Sequence, residues 1–183
     1  MRSTTFFALG LMMAVASSSA AFAQAVEMGA KPSLQDINNA LIPKDGAITG
    51  QRTRSIVFGN QPQQPVHEPP TARFRVEFEL NSAELTPAAK ETLAVLGQAL
   101  AGDALAQFRF KIAGHTDARG SDDTNASLSS RRADSVRRYL SDRFGIAGSR
   151  LISEGYGSSQ LLDPANPLDG RNRRVEIINI GAK

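Results

Sequence analysis

Residues 60–70 read NQPQQPVHEPP. The prolines fix φ and remove backbone donors, and the Gln and Asn around them offer no apolar surface to bury. The stretch therefore predicts a stiff linker. It divides the chain. Upstream, once a leader is set aside, stand only residues 24–59, too few for a transmembrane barrel of at least ~8 strands of ~10 residues each. Downstream stand residues 71–183, within the usual ~100–150 residues of a single domain. With 41% hydrophobic and 21% charged residues, the composition is globular rather than disordered.

The leader is residues 1–23, MRSTTFFALGLMMAVASSSAAFA. Arg2 supplies the positive start, Phe6 to Val15 the apolar middle, and Ala21-Phe22-Ala23 an A-x-A cleavage site. The apolar run falls short of the ~20 residues that span a bilayer. Export with cleavage after Ala23 is expected. The chain has no Cys, which excludes disulfides, thiolate metal sites, thiol catalysis and a lipid-bearing Cys. Its net charge is only +3. The pairs Arg131/Arg132, Arg137/Arg138 and Arg173/Arg174 are interleaved with Asp and Glu, as on a solvated face, and no nucleic-acid partner is expected.

Within residues 24–59, Ser33 predicts a helix cap, with Leu34, Ile37, Ala40 and Leu41 sharing a face before Pro43 and Gly46. Ile56-Val57-Phe58 reads as a short strand. Beyond the linker, Phe74, Val76 and Phe78 alternate with charged residues, the period of a half-buried strand. Thr86-Pro87 opens a helix whose Leu93, Leu96 and Leu100 share one face as far as Gly102. Phe108, Phe110 and Ile112 alternate up to Gly114. A long helix is predicted over 126–144 with Gly145 past its end, then strands at 151–154 and 173–180. Strand-helix-strand-helix-strand-strand predicts an α+β fold: a two-layer sandwich, one mixed four-stranded sheet covered by two helices.

Gly114-His-Thr-Asp-Ala-Arg-Gly120 falls where the second strand runs into a loop, the place where open sheets put ligands. Asp117 either faces a ligand there or closes a turn through its own backbone. Leu128, Val136 and Leu140 predict an inward stripe on the long helix, and Arg132 falls inside it. A buried guanidinium needs an anion, since breaking a buried pair costs on the order of 3–5 kcal/mol. Arg132 either snorkels, pairs internally with Asp117, or forms with it a zwitterion clamp, Asp117 for an ammonium and Arg132 for a carboxylate.

FELNSAEL (78–85), GHTDARG (114–120), NASLSSRRADSVRRYL (125–140), SEGYGSS (153–159) and GRNRRVEI (170–177) resemble, in order, the signatures of the OmpA-like C-terminal domain. The resemblance covers about residues 73–180. It implies peptidoglycan as partner, held through the diaminopimelate residue of the stem peptide, with the amine at Asp117 and the carboxylate at Arg132. It further implies a pocket lined by Asn81, Thr116, Arg119, Gly120, Asn125 and Leu128. Set against the family's architectures, the chain shows no barrel pattern, no lipid-bearing Cys and no acidic residue within Phe6 to Val15. The spacing from Gly170 to Arg174 is also shorter than the family's pattern.

His115-x-Asp117 finds only His67 as a further His, so no metal and no cofactor are expected; His115 is expected to order the loop through its ring nitrogens. No Ser stands in a strand-turn-helix elbow, so no enzyme is expected. Arg171, Arg173 and Arg174 read as surface charge, with Asn172 steadying the sheet's end. The expected protein is a periplasmic wall-binding module near the inner face of the outer membrane. The alternative is an adaptor whose residues 33–58 dock an outer-membrane or other envelope protein.

Overall fold

The computed structural model describes residues 25–29, 31–43, 69–78 and 82–182. The expected leader, the strand at 56–58, Asn81 and the linker apart from Pro69 and Pro70 lie outside the described residues.

Eight elements follow in chain order: β1 (Val26–Glu27), α1 (Leu34–Leu41), β2 (Thr71–Phe74), α2 (Pro87–Ala101), β3 (Phe108–His115), α3 (Asp122–Phe144), β4 (Leu151–Gly157) and β5 (Val175–Ala182). From β2 onward this is the predicted strand-helix-strand-helix-strand-strand, and the fold is α+β. The sheet runs β1-β2-β5-β3-β4. The crossover α3 joins β3 to its parallel neighbour β4, while β5 runs antiparallel between β2 and β3.

The four-stranded, two-helix expectation describes only the part beyond the linker; the sheet has five strands and the helices number three among the described residues. β1 pairs in parallel with β2 through Val26↔Ala72 and Glu27↔Arg73. Two residues carry no readable alternation, so pattern alone could not reveal this strand. Helix α1 starts at the predicted Ser33, whose side chain closes a capping box with Asp36. Ile37 and Leu41 are fully buried in the same core as Phe74, Leu93, Leu100, Phe110 and Ile177, and Asn179 Nδ2 donates to Leu41 O at 2.8 Å. Residues 26–41 thus belong to the packing unit from which the linker was expected to separate them.

Helix α3 carries the site, and glycines set its position. A Cβ at Gly114 would overlap the carbonyl of Ser129, and one at Gly155 the backbone of Ser130. Bare backbone at both positions lets the helix settle directly on β3 and β4. Only small residues fit at its closest approach, near Ser129 and Ala133. The buried stripe is therefore Asn125, Ser129, Ala133, Val136 and Leu140, which corrects the stripe read through Leu128 and Arg132. Those two stand half-buried on its flank. The helix also begins four residues earlier than its apolar pattern, at Asp122, because Ser121 caps it and Asp122 and Asp123 suit the positive end of the dipole.

Candidate functional site

The loop that follows β3 is tied down at two points. Thr116 N donates to Gly157 O at 2.9 Å and Ala118 N to Pro167 O at 3.0 Å. Asn172, fully buried, holds the strand-distal turn in place: its Oδ1 accepts from Asp163 N at 2.9 Å and its Nδ2 donates to Asn166 O at 3.0 Å. Asn172 was expected to steady the end of the sheet; its contacts instead fix the turn on which the Asp117 loop leans.

Asp117 is 5% exposed, yet its carboxylate is an internal acceptor. Oδ1 accepts from the Arg119 amide at 3.2 Å, and Oδ2 accepts from Arg173 Nη1 at 2.7 Å. Arg119 Nη1 lies 3.4 Å from the same Oδ2, its side chain 64% exposed. The turn-closing contact and a charged pair coexist in one residue. The internal partner is Arg173, not Arg132; Arg173 remains exposed, as expected of surface charge, but is paired.

Arg132 spends little of its fork. Nε donates to Ser82 O at 3.1 Å, and the guanidinium lies over the Phe78 ring, 4.8 Å from its centroid. Burial, followed by repulsion from Arg173, lowers its pKa, and attraction to Asp117 opposes the shift. The two acidic and basic candidates are thus electrostatic neighbours without forming an ion pair. Arg132 opens on a cleft of about 270 Å³ lined with Arg75, Glu77, Phe78, Thr86, Gly170 and Arg173.

Of the remaining candidates, Thr116 and Asn125 come together beside Gly157, both buried, with Thr116 Oγ1 and Asn125 Nδ2 lacking hydrogen-bond partners. Gly120 is exposed at φ 85°, and Leu128 stays on the flank of α3. His115 does not order the loop through its ring nitrogens, which are unpartnered. It does so through its amide, bonded to Arg174 O at 3.0 Å, and by stacking on Tyr156 with centroids 5.4 Å apart. Burial first, and then Arg174, push its pKa down to about 4.

Arg174 is the residue misread as surface charge. It is buried and donates to Glu176 Oε1 at 2.8 Å, and Arg73 donates to the same oxygen at 2.9 Å. A signal for it existed: Arg174 and Glu176 are two apart on one strand and must face the same side. Arg73 lies directly opposite Glu176 in the ladder. No comparable signal marked Arg75.

The OmpA family's sequence profile matches residues 77–174. The peptidoglycan-associated lipoprotein of Pseudomonas aeruginosa is 34% identical over 102 residues, 55% of this chain and 58% of that protein. The peptidoglycan-binding protein ArfA of Mycobacterium bovis is 39% identical over 106 residues, 56% of this chain and 31% of that protein. Neither match reaches two thirds of the relative's own length. Among solved structures, a MotB-like protein from Desulfovibrio vulgaris superposes with a TM-score of 0.50 at 32% identity, covering 60% of this chain and 71% of that one. With the profile spanning more than half of the 183 residues, and with its motifs standing on the strand ends and helix described above, the chain belongs to the OmpA family.

Proposed function

We propose that this chain binds peptidoglycan non-covalently, through the diaminopimelate residue of a stem peptide, at the end of the sheet where Asp117 and Arg132 stand. The observation that carries the reading is the unspent fork of Arg132: a half-buried guanidinium with one backbone acceptor, opening on a cleft beside a buried carboxylate. Such a fork takes a carboxylate through two parallel bonds. A diaminopimelate side chain ends in an ammonium and a carboxylate on one carbon, so a single group meets both charges. The names of the lipoprotein and ArfA relatives support the choice of ligand.

Asp117 is not vacant. An ammonium shares its Oδ2 with Arg173, or displaces the Arg119 arm, which is the exposed and longer contact. Thr116 Oγ1 and Asn125 Nδ2 are unpartnered nearby but buried away from solvent. The predicted leader puts this binding in the periplasm, tethering wall to envelope. The adaptor alternative is weakened because the apolar face of α1, its most obvious docking surface, is already buried within the chain.

Retention on purified sacculi, with competition by free diaminopimelate, tests the reading. Asp117→Asn and Arg132→Ala each remove one charged contact worth about 1.5–3 kcal/mol, so each weakens binding about tenfold or more. Acting on one zwitterion, the two losses combine to less than their sum. Undiminished retention of Asp117→Asn would overturn the clamp.

A further inference from the structure

The clamp engages Arg132 and leaves Arg75, without a partner among the described residues, as a second guanidinium of the cleft. Arg75, Arg132 and Arg173 all line it, against Glu77 as the single lining carboxylate. Arg173 is engaged with Asp117 and Arg132 with Ser82 O. Arg75 stands one residue beyond the end of β2, exposed, and makes no ion pair or side-chain hydrogen bond among the described residues. Its neighbour in the alternation, Arg73, is by contrast spent on Glu176 and Glu27.

The guanidinium ends of Arg75 and Arg173 converge on Gly170. A Cβ there would lie 3.0 Å from Arg173 Nη2 and 3.9 Å from Arg75 Nη2. The missing side chain leaves space that both cations border. Like charges gathered around an open gap repel, and an anion entering it relieves that repulsion.

We propose that Arg75, with Gly170 as its floor, is a second anion subsite of the cleft, and that the ligand is a peptide bearing a further free carboxylate beside its zwitterionic end. The proposal rests on the peptidoglycan reading and refines it. A stem peptide supplies two candidates of the same chemistry: the α-carboxylate of the γ-linked glutamate before diaminopimelate, and the C-terminal carboxylate after it. The cleft therefore selects stem peptides in which that carboxylate is neither amidated nor consumed in a further peptide bond.

The test is titration calorimetry of the full chain with synthetic L-Ala-γ-D-Glu-diaminopimelyl-D-Ala in three forms: both carboxylates free, glutamate amidated, C-terminus amidated. The wild-type protein is expected to bind one amidated form about fivefold more weakly than the free acid, as for a partly exposed charged contact. The identity of that form names the carboxylate. Arg75→Gln is expected to bind the free acid as weakly as the wild type binds that amidated form, and to be indifferent to the amidation. Equal wild-type binding of all three forms overturns the subsite. So does an Arg75→Gln variant that weakens all three equally, since that is diffuse attraction. If the wild type binds none of them while still folding by circular dichroism, the peptidoglycan reading itself falls.

Discussion

Arg150 and Arg132 are both shielded cations with no carboxylate of their own, and they face opposite ends of the same sheet. Arg150 is 6% exposed. Its Nη2 donates to Leu100 O at 3.0 Å and Leu105 O at 2.7 Å, and its Nε to Phe108 O at 2.9 Å. It lies over Phe110. Burial lowers its pKa, and the carbonyl of Leu100 in the last turn of α2, at the negative end of the helix dipole, compensates together with those of Leu105 and Phe108. Arg132 makes one such bond and stacks on Phe78. The same residue type is thus closed on itself at one end of the sheet and left open at the other. A guanidinium spent on buried backbone carbonyls stabilises the fold; one whose donors are in reserve beside a cleft is available to a ligand.

Deleting each guanidinium separates the two roles. Arg150→Ala removes three hydrogen bonds to buried carbonyls and opens a void, and should cost about 3–5 kcal/mol of unfolding free energy in urea. Arg132→Ala should cost less than about 1 kcal/mol, because its single acceptor lies at a solvent-reachable rim. Equal destabilisation by the two would erase the distinction.

Acid supplies the next largest effect and acts at the open end. His115 faces Glu176 at 3.9 Å, with Arg174 and Arg73 around that carboxylate and Tyr156 stacked on the ring. Its folded pKa, about 4, lies below its ordinary 6.5. Above pH 6.5 the ring is neutral in both states and stability is unaffected. Between 6.5 and about 4 the unfolded chain takes up a proton that the folded chain refuses, so stability declines as pH falls. The full gap corresponds to about 3 kcal/mol. Burial raises the carboxyl of Glu176, but bonds from Arg73 and Arg174 outweigh it and leave it below the usual value; its contribution is likewise lost on acidification, at lower pH. His115→Phe should flatten the stability profile between pH 6.5 and 4. An unchanged slope would assign the acid sensitivity to other groups.

The legibility of these two ends differs for a physical reason. Caps and alternation are local, and Ser33, Thr86 and the inward Phe108, Phe110 and Ile112 were readable as such; each does in the structure what its spacing implied. Asp117 and Arg132 were singled out by a loop motif and by a stripe that proved to run elsewhere on α3. The partners were not readable. Arg173 is 56 residues from Asp117, Arg150 caps a helix that ended 49 positions earlier at Ala101, and β1 is too short to show a period. The rotation of α3 was also hidden, because it depends on glycines in β3 and β4 meeting serines on another element. Long-range pairing follows from topology, and no window of sequence contains it.

Replacing each arginine with lysine makes the smallest change and the finest discrimination. Lysine keeps the charge but replaces a planar fork with a point charge on a flexible stem. At Arg150 the ammonium can reach some but not all of three carbonyls spread over Leu100, Leu105 and Phe108. Part of the stability should be lost there, about 1–2 kcal/mol. At Arg132 the fold has one bond and one aromatic contact to lose, so the melting temperature should barely move. The loss at this position should appear in binding: without two parallel donors the ligand carboxylate is held at a single point, and affinity for sacculi should drop about fivefold. Salt sharpens the distinction. If Arg132 acted only as a diffuse positive charge, Arg132→Lys would bind like the wild type at every ionic strength. If its fork grips a carboxylate in a half-buried cleft, the deficit should persist in 0.15 M salt, where the Debye length is only about 8 Å and open-surface attraction is largely screened.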